Sequence, residues 1–295
     1  MRKPFSYGRN QPFRVAPDPF ARTIRGPFAP GPGRLGRVTV RWVAMFWAGL
    51  RLAVTLLTAI PLPGGKADGP PSRQAAGAAM TWAPVVGLLL GAAAALVLYV
   101  FQRCWHAGPL LGATLAVIVL AALTRGLHLD GLADLADGLG SRRPPDQALD
   151  IMRRSDIGPF GVAALVLTLL LQVTALTQAD ALGRGVTSVI AAAITGRLAL
   201  TLACRHGVPA ARGEGLGALV AGTVHPAIPA VLAVAALVGA AAFSLIFVLA
   251  VTAGLAASLA VTWLAVRRLG GITGDVLGAL AEIATAVCLL VLALS

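Results

Sequence analysis

Six of the twelve carboxylates in the chain fall within one short stretch: Asp130, Asp134, Asp137, Asp146, Asp150 and Asp156. Asp130, Asp134 and Asp137 are spaced i, i+4, i+7. On a helix turning about 100° per residue they share one face, within an arc of about 60°. Carboxylates stacked this way repel one another unless a cation neutralises them. Mg²⁺ takes oxygen ligands and is usually held by a few carboxylates together with substrate phosphate. Asp130, Asp134 and Asp137 are therefore the candidate metal ligands. Asp146 and Asp150, again i, i+4, are candidates to complete the site or to take a proton. Arg125, Arg142, Arg143 and Arg153 interleave with these acids, and guanidinium groups suit phosphate oxygens. His128, two residues before Asp130, is a candidate general base or substrate ligand. Carboxylates for a metal and arginines for phosphate suit phosphoryl transfer, which is mostly positioning and charge stabilisation. The competing structural reading is a network of Arg–Asp pairs at a helix end, such as Asp150 with Arg154.

The elements that position this cluster belong to a membrane protein. The chain has 295 residues, 57% of them apolar and only 12% charged, with a mean hydropathy of +0.82. A soluble domain carries about twice that charge. Disorder, a collagen-like repeat and a disulfide scaffold are excluded. Cys104, Cys204 and Cys288 lie far apart, show no metal spacing and are expected to be buried free thiols.

A bilayer core about 30 Å thick needs roughly 20 apolar residues in a helix. Segments 80–101, 107–124, 158–178, 185–203, 226–243, 246–266 and 276–294 meet that need. The fold class expected is all-α: a polytopic helix bundle of about seven transmembrane helices, preceded by an interfacial or re-entrant helix at 43–60. Keeping 43–60 from crossing places nearly all loop arginines, including those of 125–157, 204–217 and 267–275, on one side. The positive-inside rule makes that side the cytoplasm. Arg197 and Glu282 fall inside spans, where ionisable groups usually face a partner or a cavity. Each is the natural partner of the other.

The net charge of +12 is concentrated at the start of the chain. Residues 1–51 hold ten Lys/Arg and one Asp, and 1–42 are rich in Pro and Gly. Residues 1–42 are expected to be a basic, disordered extension and 43–295 the membrane-embedded domain. No nucleic-acid recognition motif accompanies the basic residues, so the bilayer is the expected partner and nucleic acid is not. Monomer and homo-oligomer are equally open.

Two weaker polar features complete the inventory. Gly270-Gly-Ile-Thr-Gly-Asp275 puts a Gly-rich turn with Thr273 at a helix start, and Asp275 shares a face with Glu282 two turns on. Asp275 has an ordinary alternative as an N-cap. Arg212-Gly-Glu214-Gly-Leu-Gly217 reads by itself as a flexible polar loop.

The run Arg125-Gly-Leu-His-Leu-Asp-Gly-Leu-Ala-Asp-Leu-Ala-Asp-Gly-Leu139 resembles the signature of the cobalamin synthase family, the adenosylcobinamide-GDP ribazoletransferases. Further matches follow in order. They are Thr58-Ala-Ile-Pro-Leu-Pro63, Pro84 to Gly91, Ile151-Met152 with Ile157 to Gly161, Arg197, Glu214 to Gly217, and Gly270 to Asp275 with Gly278 and Glu282. Two departures stand out: Ala59 replaces a usual Arg, and Arg154-Ser155-Asp156 exchanges the charges of a usual Asp-Ser-Arg. The resemblance covers about residues 45–294. It implies an Mg²⁺-dependent enzyme of the bacterial inner membrane, its active site facing the cytoplasm. Its substrates would be adenosylcobinamide-GDP and α-ribazole or its 5′-phosphate. A ribose hydroxyl would attack the phosphoryl group attached to cobinamide, releasing GMP and forming adenosylcobalamin or its 5′-phosphate. It also carries Arg197, Glu214, Thr273, Asp275 and Glu282 forward as candidate substrate-binding residues.

Two rivals are weighed against this. A CDP-alcohol phosphatidyltransferase also uses clustered Asp, but its Asp-Gly-x-x-Ala-Arg pattern meets Asp130-Gly131-Leu-Ala-Asp-Leu here. A transporter would use Arg197 and Glu282 along a pathway, yet the acids concentrate in a loop on one side.

Overall fold

A computed structural model describes residues 47–60, 71–104, 108–154 and 156–294. The basic 1–42 extension lies outside the described residues. Among those residues the fold is helical, with two isolated β-bridges as the only extended pairing. The helices are α1 (Trp47–Leu57), α2 (Arg73–Thr81), α3 (Ala83–Cys104), α4 (Pro109–Leu123), α5 (Leu127–Gly140) and α6 (Pro145–Ile151). They continue as α7 (Pro159–Ala181), α8 (Gly185–Ala203), α9 (Gly215–Val220), α10 (Ala227–Ala241), α11 (Leu245–Leu269) and α12 (Gly274–Ala293).

The chain is a polytopic helical membrane protein. Five helices (α3, α7, α8, α11 and α12) are long and apolar enough to span a bilayer, and α4 with α5 makes a sixth if that bent pair counts as one span. By length and composition five or six segments qualify, against about seven expected, and two short apolar helices make the difference. Apolar composition runs on through 107–124 and 226–243, but each forms a helix of 15 residues. That length rises about 22 Å, short of a bilayer core of about 30 Å. The hairpin expected in the 226–266 run is present as α10 and α11, which pack together.

α8 and α12 form the buried centre of the bundle, while α7 turns Val166, Leu167 and Leu170 outward. Outward leucines and valines are at home in hydrocarbon, where packing of small residues rather than a hydrophobic drive joins helices. Ala and Gly supply that packing. A Cβ on Gly87 would stand 2.6 Å from the Ala193 carbonyl oxygen, so α3 lies directly on the backbone of α8.

Following the helices up and down sorts their ends. The start of α3, the end of α8 and the starts of α7 and α12 share one end with the 204–226 and 270–274 loops. Thr201 near the end of α8 donates to the Met80 carbonyl just before α3, at 2.7 Å. Arg73 at the start of α2 donates to the Ala218 and Ala221 carbonyls at the end of α9. At the opposite end, Gln102 near the end of α3 donates to Asp180 near the end of α7. α1 has only 11 residues. Its last residue, Leu57, lines the same cleft as the start of α12, and the amide of Ala59 donates to Leu123 O at 2.6 Å. The described part of the 43–60 segment is thus shorter than a spanning helix needs.

α4 and α5 meet at an 87° bend. Arg125 and Gly126 make it, both in the left-handed region (φ 54° and 68°). Turned by that bend, α5 leaves the direction of the spans and lies across the first turns of α7 and α12. It is not a span; it is a beam over the arginine-rich end. Cys204 and Cys288 are buried as expected, but Cys104 is exposed because α3 ends there.

Candidate active site

The acidic helix α5 reaches α12 because neither surface has side chains in the way. A Cβ on Gly131 would stand 2.6 Å from the Asp275 carbonyl oxygen, and one on Gly278 would stand 3.1 Å from the backbone of His128. This crossing brings Asp130 and Asp134 of α5 beside Asp275, far away in sequence. A third segment completes the wall. Ile272 N donates to Pro209 O at 2.9 Å and Ala211 N donates to Ile272 O at 3.0 Å, so residues 209–211 run alongside 271–273. That short pairing sets Arg212 opposite Asp275, with Nη1 3.9 Å from Oδ2.

The result is a cleft of two chambers. The inner one, about 270 Å³, is lined by apolar residues with His128, Asp130, Arg212 and Asp275 at its polar edge. The outer one, about 450 Å³, is lined by Asp146, Asp150, Arg153, Arg212 and Glu214. Arg212 and Glu214 line both, so they form the partition.

Electrostatics single out Asp134. Burial first, then the neighbouring Asp130, Asp275 and Asp137 charges, push its carboxyl up from 3.8 to about 7, against the pull of Arg212. Such a crowd of acids with one cation nearby is short of positive charge. Among the described residues no three His, Cys, Asp or Glu side chains converge closely enough to share one ion. Mg²⁺ asks for less, because it keeps waters and takes one or two carboxylates with substrate phosphate. Asp130, Asp134 and Asp275 offer that donor chemistry.

Asp137 does not join them. Its carboxylate accepts hydrogen bonds from Gly158 N at 2.7 Å and Gly161 N at 2.9 Å, and is only 9% exposed. These amides are the N-cap and the third residue of α7, groups that no intrahelical partner satisfies. Asp137 is thus the cap of another helix. A Cβ on Gly161 would fall 2.4 Å from its Oδ2, so only glycine lets the carboxylate in. The i+7 residue sits at one edge of the acidic arc, and α7 lies against that edge. Both oxygens of this expected metal ligand are thus engaged by α7.

Below the inner chamber, Arg197 of α8 is 2% exposed and its Nη2 lies 3.4 Å from His128 Nδ1. A guanidinium only donates. His128 Nδ1 therefore accepts, the ring proton sits on Nε2, and His128 presents a donor rather than a base. Glu282 accepts from Gln172 Nε2 of α7 at 2.8 Å. Arg197 is close enough for its charge to be felt by Glu282, yet they are not in ion-pair contact among the described residues. The expected direct pair is replaced by Gln172 on one side and His128 on the other.

The remaining candidates sort by position. Arg153 Nη2 donates to Glu214 Oε1 at 2.8 Å, at the exposed mouth of the outer chamber. Asp146 and Asp150 line the same chamber from α6, which folds back on α5 where Gly138 meets Met152. Asp150 makes no ion pair with Arg154 among the described residues. Arg143 donates to Gln147 Oε1 at 3.2 Å outside the cleft. Arg125 and Arg142 sit in left-handed turns at the two ends of α5 and line neither chamber. Thr273 is the N-cap of α12, its Oγ1 accepting from Val276 N at 3.2 Å, and it also donates to Asp275 Oδ2 at 3.2 Å. Asp275 is thereby freed from capping. Arg212 is the residue that sequence reasoning passed over. The one available signal was its place beside Glu214 in an otherwise glycine-rich loop.

A helical membrane bundle whose loops at one end enclose an acidic cleft, with Arg212 between its two chambers, defines a class: a membrane-embedded enzyme. The chain belongs to the family described as cobalamin-5-phosphate synthase, whose model matches residues 49–293. It is 47% identical over 264 residues to an adenosylcobinamide-GDP ribazoletransferase of Frankia casuarinae, covering 83% of this chain and 94% of that protein. It is 39% identical over 266 residues to one of Bradyrhizobium diazoefficiens, covering 88% and 96%. A protein of the same name from Escherichia coli is 36% identical over 258 residues, covering 84% and 98%. No solved structure matches.

Proposed function

We propose that this protein joins adenosylcobinamide-GDP to α-ribazole or its 5′-phosphate in cobalamin synthesis. The relatives' shared name supports the reaction. The observation that carries it here is the partition residue Arg212, set between an acidic pole and a polar outer chamber. The bond formed is from the ribose hydroxyl oxygen to the phosphorus bearing cobinamide. The bond broken is the phosphoanhydride of the GDP moiety. GMP leaves with that electron pair, and the product is adenosylcobalamin or its 5′-phosphate. Arg212, donating from a half-buried position, stabilises charge on the transferred phosphoryl group. Asp130, which lines the inner chamber, receives the hydroxyl proton. His128, holding its proton on Nε2, orients the ribose. Asp146, Asp150, Arg153 and Glu214 frame the outer chamber around the diphosphate and guanosine.

Asp134 and Asp275, together with substrate phosphate, would hold Mg²⁺, which when bound would neutralise charge on the diphosphate oxygens. The cleft end faces the cytoplasm and the bilayer is the bacterial inner membrane, a reading supported by the arginine-rich loops at that end. Reporters fused after residues 142 and 214 should both report cytoplasm.

Membranes containing the protein test the reaction with adenosylcobinamide-GDP, α-ribazole 5′-phosphate and Mg²⁺, following GMP and corrinoid product together. Product formation that is lost with Asp134→Ala supports the reading. CMP release from CDP-diacylglycerol without corrinoid product would replace it with the phosphatidyltransferase reaction.

A further inference from the structure

The two chambers differ in chemistry, and so do the two substrates. The floor of the inner chamber is made by Met80, Leu200, Ile272 and Leu277, all at most 3% exposed, with Leu57 beside them. These come from the α2–α3 region, α8, α12 and its preceding turn, and α1. The polar lining is His128 and Asp130 from α5, with Arg212 and Glu214 from one loop and Thr273 and Asp275 from the start of α12. A diphosphate placed against the floor of Met80, Leu200, Ile272 and Leu277 would give up its hydration for no partner. A corrin macrocycle is far larger than a 270 Å³ space. A flat, uncharged, methylated bicyclic base has apolar surface of the right kind, with a ribose attached that needs polar contacts at one edge only. Ligand pockets with apolar walls and a few convergent polar groups are built for such amphipathic molecules.

Resting on the function proposed above, we propose that the inner chamber is the subsite for the dimethylbenzimidazole base of ribazole. Its two methyl groups lie against Leu200 and Ile272, and its ribose meets His128 and Asp130. Base selection is then set by the buried floor of the bundle, and the outer chamber takes only the nucleotide end of the other substrate.

The test compares the α-ribosides of 5,6-dimethylbenzimidazole and unsubstituted benzimidazole on full-length protein in membranes. The ratio of their kcat/KM values is independent of how much protein is folded. One methylene in an apolar pocket changes selectivity by about 10- to 200-fold. Leu200→Phe, which fills the floor, should shift the ratio toward the unsubstituted base by about tenfold or more, while the KM for adenosylcobinamide-GDP moves less than about twofold. Ile272→Val, which removes one methylene from the wall, should shift the ratio too, by a smaller factor and by loosening the grip on the methyl groups. Ratios unmoved by both variants would overturn the assignment. So would a raised KM for adenosylcobinamide-GDP with the base ratio unchanged, which would place the cobinamide side in the chamber. Wild-type protein that turns over neither riboside would instead refute the reaction itself.

Discussion

The guanidinium of Arg212 stands 3.9 Å from the carboxylate of Asp275, beside which Asp130 and Asp134 also compete for positive charge. The same guanidinium donates from Nη2 to the Leu149 carbonyl on α6. It is thus the tie between the acidic pole, the outer chamber and the short helix that carries Asp146 and Asp150. Charge-assisted contacts of this kind hold a donor in place before charge develops on a substrate.

Replacing Arg212 by Ala should lower kcat by about 100- to 1,000-fold, the usual cost of one preorganised donor at a charge-developing centre. Arg212→Lys keeps the charge but cannot reach Leu149 and Asp275 together, so it should recover only a part. Steady-state kinetics at saturating substrate measure both.

Asp134 predicts an opposition between stability and activity. In the folded protein its carboxyl is pushed up to about 7, whereas the unfolded value is near 3.8. The folded state therefore holds a proton that the unfolded state has released between those values. The stabilising effect of that proton is complete below pH 3.8 and is lost as pH rises to about 7. Asp134→Asn removes the charge that is penalised above that range. Without metal or substrate, the variant should melt higher than wild type at pH 8, by a smaller margin at pH 5 and with little difference below pH 3.8, while losing activity. A wild-type melting temperature at or above that of Asp134→Asn at pH 8 would contradict the crowding.

Asp137 should behave differently from Asp134 although they share a helix. Asp137→Ala leaves two α7 amides without their acceptor and should cost about 2–3 kcal/mol of stability. Its apparent Mg²⁺ requirement in the protein that does fold should stay within about twofold of wild type, whereas Asp134→Asn should weaken that requirement tenfold or more, about 1.4 kcal/mol. Mg²⁺ titrations of activity separate the two residues. Equal Mg²⁺ effects would return Asp137 to the metal site.

Gly131 tests the crossing of α5 over α12. A methyl group there would fall 2.6 Å from the Asp275 carbonyl oxygen. Gly131→Ala should cost about 1–3 kcal/mol by overpacking. Activity should fall by about 100-fold, because a shift near 1 Å misplaces Asp130 and Asp134 relative to Asp275 and Arg212. Gly126→Ala, at a left-handed turn with open space around it, should affect stability through backbone strain alone.

Much of this was legible in the residues themselves. Long uncharged runs require helices in a bilayer, since unpaired backbone groups are not tolerated there. Arginines crowded into alternate loops choose one end of the bundle. The spacing of Asp130 and Asp134 puts two carboxylates side by side wherever that helix lies. These features depend on local geometry and on the solvent, so they need no knowledge of the fold. Helix length was harder to read, because 107–124 and 226–243 are apolar throughout, yet each forms a helix of 15 residues, and composition does not mark where a helix stops.

Tertiary structure decided the rest. Asp137 shares the face of Asp130 and Asp134, but α7 delivers two free amides to its edge of that face and takes it out of the cluster. Asp275 and Arg212 enter from other segments, brought in by a glycine contact and by two backbone hydrogen bonds around Ile272. Arg197 and Glu282 were natural partners by charge and depth, yet His128 and Gln172 reach them first. In each case the sequence states what a side chain can do, and the neighbour that arrives by long-range packing selects which of those things it does.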